Sequence, residues 1–444
     1  LKRSNDFYLP ELTNRFFEIP ALQKGLSKLL LEFPTASIQI LFGLILLSFY
    51  HPAFILFGIL LVVILGTILY YTGARGLSSS IEESTQKYSL AAWLEEMARG
   101  VKAFKFEPDG PVLTQNSEQR TIRYLDKRTQ HFRVLLFQYR ILVFFKTTIT
   151  AAMLLVGSIL LLDQQLNIGQ FIAAEIVILI VIGAVEKLIG NLDSVYDVLT
   201  SVDKMAKLTE KPEELSGRLP MPWRKEGITI ELQQLRFGFH PEQKILEDVN
   251  GRIPSGGKAC ITGPDGSGKS TLLQLMGGIY TDFEGGLLYD GIPIANYQID
   301  TLRAQIGISL SGQHIFQGSV WENVTMGRTD ITIEELMEWT VALRFDKQLQ
   351  EWPLGWDTPL SPLGSHLSGS TIRKILLLRA MAKKPRLLLL EEPWRGCGEA
   401  DRKAIQDLLL HLPDSITVVV VTSDADFVAR CPIRIELNPA SINA

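Results

Sequence analysis

Gly263-Pro264-Asp265-Gly266-Ser267-Gly268-Lys269-Ser270-Thr271 is the stretch that decides the fold of this chain. It has the form G-x-x-x-x-G-K-[ST], a loop whose backbone N–H groups turn inward around phosphate oxygens at a helix N-terminus. Average residue usage gives a chance match in a chain of this length a probability of roughly 1–2%. Context makes chance a weaker account still. Lys258-Ala-Cys-Ile-Thr262 ahead of the loop reads as a buried strand, and the apolar run from Thr271 to Met276 reads as a helix. Glycine lets the backbone approach phosphate with no Cβ in the way. Lys269 would add a cation at the β and γ phosphates, and the Ser270 hydroxyl is a ligand type for Mg²⁺. The bland alternative is a glycine turn between a strand and a helix.

Outward from the loop, Ile228–Leu232, Arg386–Leu390 and Ser415–Thr422 are further short strands alternating with helical stretches. That order predicts an α/β domain with a largely parallel core. The strand at Arg386 ends in Glu391-Glu392-Pro393. Two acids at the end of a buried strand, following a phosphate loop, suit a site that hydrolyses a nucleoside triphosphate. Glu391 is expected to hold Mg²⁺ through water, and Glu392 to polarise the attacking water.

The first 200 residues differ in kind. The chain has 444 residues, 46% hydrophobic and only 21% charged, and the apolar excess is concentrated there. Ala36 to Tyr71 contains no Asp, Glu, Lys or Arg and is broken only at Tyr50-His51-Pro52. Val134 to Ile189 is broken at Asp163-Gln164-Gln165-Leu166-Asn167. Each break reads as a tight turn, so each region gives two helices about one bilayer thick. Lys and Arg gather at the ends remote from the two turns (Arg15, Lys24, Lys28, Arg75, Lys127, Arg128, Arg133, Arg140, Lys187, Lys204, Lys207). The positive-inside rule therefore puts the turns outside and the long connections in the cytosol. Glu175 falls about 12 Å below the outer turn, inside the hydrocarbon layer, and is expected to face an aqueous cavity. Lys146 and Glu186 lie near the inner interface at depths that allow a pair; the alternative is a snorkelling lysine and a glutamate solvated at its helix end.

A net charge of −4 gives no global basic field, so no nucleic-acid partner is expected. The cysteines Cys260, Cys397 and Cys431 are too scattered for a disulfide framework or a metal knuckle and read as small core residues.

With these motifs in view, the chain resembles a half-transporter of the ATP-binding cassette (ABC) exporter family. The fold class is then an α-helical transmembrane bundle plus an α/β P-loop NTPase cassette. The resemblance implies a cytosolic connection over 1–27, a transmembrane domain with four spans over 28–207, a linker over 208–227 and a nucleotide-binding domain over 228–444. It implies ATP and Mg²⁺ as ligands, with Phe239 where an aromatic ring stacks on adenine, and Ser368, Gly369 and Ser370 in the signature that faces a second cassette. Ile315 to Val324 matches the stretch after the glutamine-containing loop. The first two of the family's six helices are expected to be absent, and the chain begins Leu-Lys-Arg without Met. The implied setting is the plasma (inner) membrane with the cassette in the cytoplasm. The implied partner is a second half-transporter, as homodimer or heterodimer, and the exported substrate is not specified.

Departures from the family pattern fall on the hydrolytic machinery. Ser311 stands at the loop glutamine, Glu391 at the Walker B aspartate and Ser423 at the switch histidine. The signature reads Leu367-Ser368-Gly369-Ser370-Thr371, and Trp394-Arg395-Gly396-Cys397-Gly398 follows the acids. Loss of one transition-state contact typically costs on the order of 10²–10³ in rate, and contacts that act as a unit do not multiply. The sequence therefore predicts an ATP-binding exporter subunit with weak or partner-dependent hydrolysis. The alternative is a nucleotide-binding regulatory or non-transporting membrane protein.

Overall fold

A computed structural model describes residues 13–106, 110–209, 214–240 and 244–438. Asp6–Pro212 and Glu213–Ala444 fall into separate compact units.

The first unit is helical. Its main elements are α1 (Glu18–Ser48), α2 (Pro52–Arg99), α3 (Pro111–Leu162), α4 (Ile168–Gly190) and α5 (Leu192–Thr209). Among the described residues, four helical stretches are long and apolar enough to cross a membrane: Arg15–Ser48, Pro52–Arg99, Pro111–Leu162 and Ile168–Lys207. At 1.5 Å per residue the 48 residues of α2 extend about 72 Å, more than twice a hydrocarbon core of about 30 Å. The buried stripe of α2 follows that length. It begins with Phe54, Gly58, Leu61 and Ile68 and continues as Thr72, Gly76, Ser80 and Ser84. The spacing of three, four or, once, seven is helical throughout, but the chemistry turns from apolar to small and polar. The polar stretch is held by side-chain bonds: Gln138 donates to the hydroxyls of Thr72 (2.9 Å) and Tyr196 (2.8 Å), and Ser80 meets Thr200 at 2.9 Å.

Both turns are capped. His51 is the N-cap of α2, its Nδ1 accepting from Ala53 N–H at 3.1 Å, with Pro52 at the first helical position. Asn167 and Gln170 form a reciprocal capping box at α4. His51 Nε2 and Gln165 Oε1 lie 2.9 Å apart and join the two turns. Lys146 does pair with Glu186, at 2.8 Å. Glu175 borders a cavity of about 10 Å³ with Thr150, Met153, Leu154, Phe171, Ile178 and Leu179.

The second unit holds two main sheets. β1 (Ile230–Phe237), β2 (Leu246–Ile253), β4 (Glu284–Tyr289) and β5 (Ile292–Pro293) form an antiparallel sheet ordered β2-β1-β4-β5. β3 (Lys258–Thr262), β6 (Ile306–Ser309), β9 (Leu387–Glu391), β10 (Thr417–Val421) and β11 (Ile433–Glu436) form a parallel sheet ordered β11-β3-β10-β9-β6. The short strands β7 (Gly318–Ser319) and β8 (Pro359–Leu360) pair with each other. The parallel core is as the sequence predicts. The antiparallel sheet is an addition, and the first strand starts at Ile230 and continues to Phe237. Leu387 to Leu390 and Val419 and Val420 are all 0% exposed, as unbroken apolar runs covered on both faces must be.

The segment 214–227, read as linker, is bonded to this second unit. Leu219 bridges to Tyr297, and Arg386 Nε donates to Glu226 O at 2.6 Å. Positions 1–12 and 210–213 of the expected connections lie outside the described residues.

Candidate functional site

β3 ends at Thr262, and the loop 263–268 leads into α6 (Lys269–Met276). Gly263 (φ 147°), Gly266 (80°) and Gly268 (86°) adopt backbone that favours glycine. A Cβ at Gly263 would sit 2.4 Å from Leu437 O and 2.7 Å from Ser267 Oγ, so glycine is required there for space as well. Ser267 is 1% exposed, and its hydroxyl has no partner among the described residues. Lys269 Nζ donates to Gly263 O (2.8 Å) and Pro264 O (2.7 Å) and lies 3.9 Å from Asp265.

β9 lies one strand away from β3, across β10. That order brings Glu391 to the loop. Ser270 Oγ donates to Glu391 Oε1, and the Ser311 N–H donates to Glu391 Oε2 at 2.8 Å. Glu392 has φ 42°, which turns the chain sharply at the strand end. Its carboxylate accepts from the Ser423 N–H (3.0 Å) and hydroxyl (3.4 Å) on Oε1 and from Thr422 Oγ1 (3.3 Å) on Oε2.

These groups border one cleft of about 730 Å³. Its walls are Ile245, Asp265, Gly266, Gly268, Lys269, Ser270, Thr271, Ser311, Glu391, Glu392, Arg395, Val421 and Ser423. The loop, both acids and the two serines at departure positions are thus one site. Arg395 is a wall residue with no counterpart among the expected site residues. Its signal was a cation three residues after the acids, where the family pattern has none.

Other expected residues lie apart from the cleft walls. Phe239 stands edge-on to Phe237 (5.3 Å) and Tyr280 (5.6 Å). Ser368 is the N-cap of α7 (Gly369–Ala382), accepting from Thr371 N–H at 3.1 Å. Ser370 Oγ donates to Asp401 at 3.3 Å, and Thr371 is buried and accepts from Gln348 at 2.7 Å. Asp401, in α8 (Glu399–Leu410), also pairs with Lys374 at 2.9 Å.

The donor set suits Mg²⁺. A hydroxyl and a carboxylate already converge at Ser270 and Glu391, and Mg²⁺ is usually held by one or two protein groups together with phosphate oxygens and water.

Two family models match the chain: the ABC transporter transmembrane region over residues 6–185, and the ABC transporter family over residues 246–395. The mitochondrial iron–sulfur clusters transporter ATM1 of Saccharomyces cerevisiae is 32% identical over 211 residues, 48% of this chain and 29% of that protein. The uncharacterized ABC transporter ATP-binding protein YwjA of Bacillus subtilis is 26% identical over 275 residues, 62% of this chain and 48% of that protein. The alignments thus span less than half of these relatives. A bacterial Atm1-family ABC exporter solved with ATP bound superposes with a TM-score of 0.84 at 18% identity, covering 97% of this chain and 76% of that one.

Proposed function

Because this chain carries an ABC transporter transmembrane region followed by an ABC transporter cassette, we propose that it is one half of an exporter that binds ATP tightly and hydrolyses it slowly by itself. The observation that carries this reading is the cleft. Its walls carry Gly266, Gly268, Lys269 and Ser270 of the phosphate motif, while the two flanking positions that would handle water and γ-phosphate carry serines bonded to the acids.

In this reading the loop N–H groups and Lys269 take the phosphates, Lys269 leaving the carbonyls of Gly263 and Pro264. Ser270 and Glu391 hold Mg²⁺, which when bound neutralises charge on the β and γ phosphates. Glu392 accepts a proton from water as the water attacks the γ-phosphorus, and ADP leaves with the former bridging oxygen. Ser423 and Thr422 fix the direction of that carboxylate, but neither supplies a cation to the γ-phosphate. Ser368, Gly369 and Ser370 are away from this chain's own cleft walls, which supports a role toward a second cassette. That cassette comes from a second half-transporter, identical or different. Closure of the pair on ATP would drive the membrane helices and move a substrate out of the cytoplasm across the plasma (inner) membrane.

The same serines favour one second reading: a nucleotide-gated subunit that responds to ATP without consuming it. Nucleotide titration of the full chain in lipid, wild type against Lys269→Ala, tests the shared premise. Binding lost in the variant supports it, and no binding by either overturns it.

A further inference from the structure

Arg395 borders the phosphate cleft, is solvent-exposed, and its guanidinium forms no ion pair or hydrogen bond among the described residues. Its backbone is nevertheless fixed. The Arg395 N–H donates to Glu392 O at 3.0 Å, closing a tight turn after the acids. On one side Trp394 is 5% exposed and stacks obliquely on Phe427 at 4.8 Å. On the other, Gly396 has φ 80°, which reverses the chain. A buried tryptophan thus anchors the turn that puts Arg395 on the cleft wall, with its guanidinium unpaired among the described residues.

The cleft needs that charge. Its walls carry three carboxylates, Asp265, Glu391 and Glu392, against two cations, Lys269 and Arg395. Without Arg395 the protein's own charges on the cleft walls would be one ammonium against three carboxylates, with Mg²⁺ and the loop N–H groups left to meet the triphosphate. Ser311 and Ser423, both neutral, add hydrogen bonds but no positive charge. A guanidinium matches the paired oxygens of a phosphate with two parallel N–H bonds.

We propose that Arg395 is the γ-phosphate clamp of this cassette: it binds the terminal phosphate of a nucleoside triphosphate in its own chain's cleft and gives the site its preference for triphosphate over diphosphate. This rests on the cleft being the nucleotide site, so its test must separate the two ideas.

The experiment measures equilibrium binding of ATP and of ADP to the full-length chain in lipid nanodiscs, with wild type, Arg395→Ala, Arg395→Lys and Lys269→Ala. Arg395→Ala is expected to weaken ATP binding by about tenfold, a typical loss for one charged hydrogen-bond partner, while ADP affinity changes less than about twofold. Arg395→Lys is expected to fall between, because an ammonium keeps the charge and loses the fork. An unchanged ATP-to-ADP affinity ratio in Arg395→Ala, with wild type binding ATP and Lys269→Ala not, overturns the clamp and leaves the nucleotide site standing. Wild type that binds neither nucleotide overturns both.

Discussion

Ser423 gives Glu392 two hydrogen bonds on the same carboxylate oxygen, one from its backbone N–H at 3.0 Å and one from its hydroxyl at 3.4 Å. The backbone bond would exist with any residue but proline at this position. The hydroxyl bond is long and adds little. The carboxylate is therefore oriented mainly by main chain, and what Ser423 lacks is reach and charge toward a γ-phosphate.

It follows that Ser423→Ala should change turnover by less than about threefold, since the N–H remains. Ser423→His in the same chain should raise turnover by about tenfold or more, by restoring a donor that stabilises transition-state charge. Steady-state phosphate release from both variants checks this, and a histidine variant no faster than wild type would count against the reading of this position.

Trp394 sets the position of the turn that carries Arg395. Trp394→Ala removes a nearly buried aromatic from the core beside Phe427 and should cost roughly 3–5 kcal/mol of cassette stability. Trp394→Phe should retain most of that. Thermal unfolding of the full chain separates the two, and equal melting temperatures for wild type and the alanine variant would contradict the anchoring role.

Arg386 is 2% exposed and spans several elements: it pairs with Asp290 at 2.8 Å and donates to Gln305 Oε1 at 3.0 Å and to Glu226 O at 2.6 Å. Asp290→Ala would leave a buried guanidinium without its counter-charge, expected to cost about 3–5 kcal/mol. Denaturant unfolding of the variant gives the number.

Lys146 and Glu186 also pair, at 2.8 Å, at the depth expected for the inner membrane interface, where water reaches both side chains. The coupling from a double-mutant cycle should stay below about 1 kcal/mol. A larger value would mean that the pair works inside a low-dielectric bundle.

Much of this was legible in the chain itself. The glycine-rich loop at 263–268, the two acids and the two turns between the apolar helices are local patterns: glycines at positive φ, an apolar strand ending in carboxylates, and Pro52 after His51. They read through because local geometry and residue type agree. The Lys146 and Glu186 pair was within reach as one option, since helix depth can be counted. Arg395 was legible only as a cation three residues after the acids; that its turn is anchored by Trp394 against Phe427, thirty-three residues away in sequence, was not. Nor were the partners of Ser370 and Thr371, which come from Asp401 and Gln348. The antiparallel sheet was missed for a similar reason: β1 and β4 pair across more than 40 intervening residues.

The measurement that tests the account most directly is Mg-ATP binding and hydrolysis on one reconstituted sample of the full chain, beside Lys269→Ala and Glu392→Gln. The account predicts that wild type and Glu392→Gln bind ATP and that Lys269→Ala does not. It also predicts wild-type turnover below about 0.1 s⁻¹, on the order of 10² under a typical enzyme median of ~10 s⁻¹. Turnover near that median, abolished by both substitutions, would contradict the claim that the serines at 311 and 423 have left this cassette a slow one.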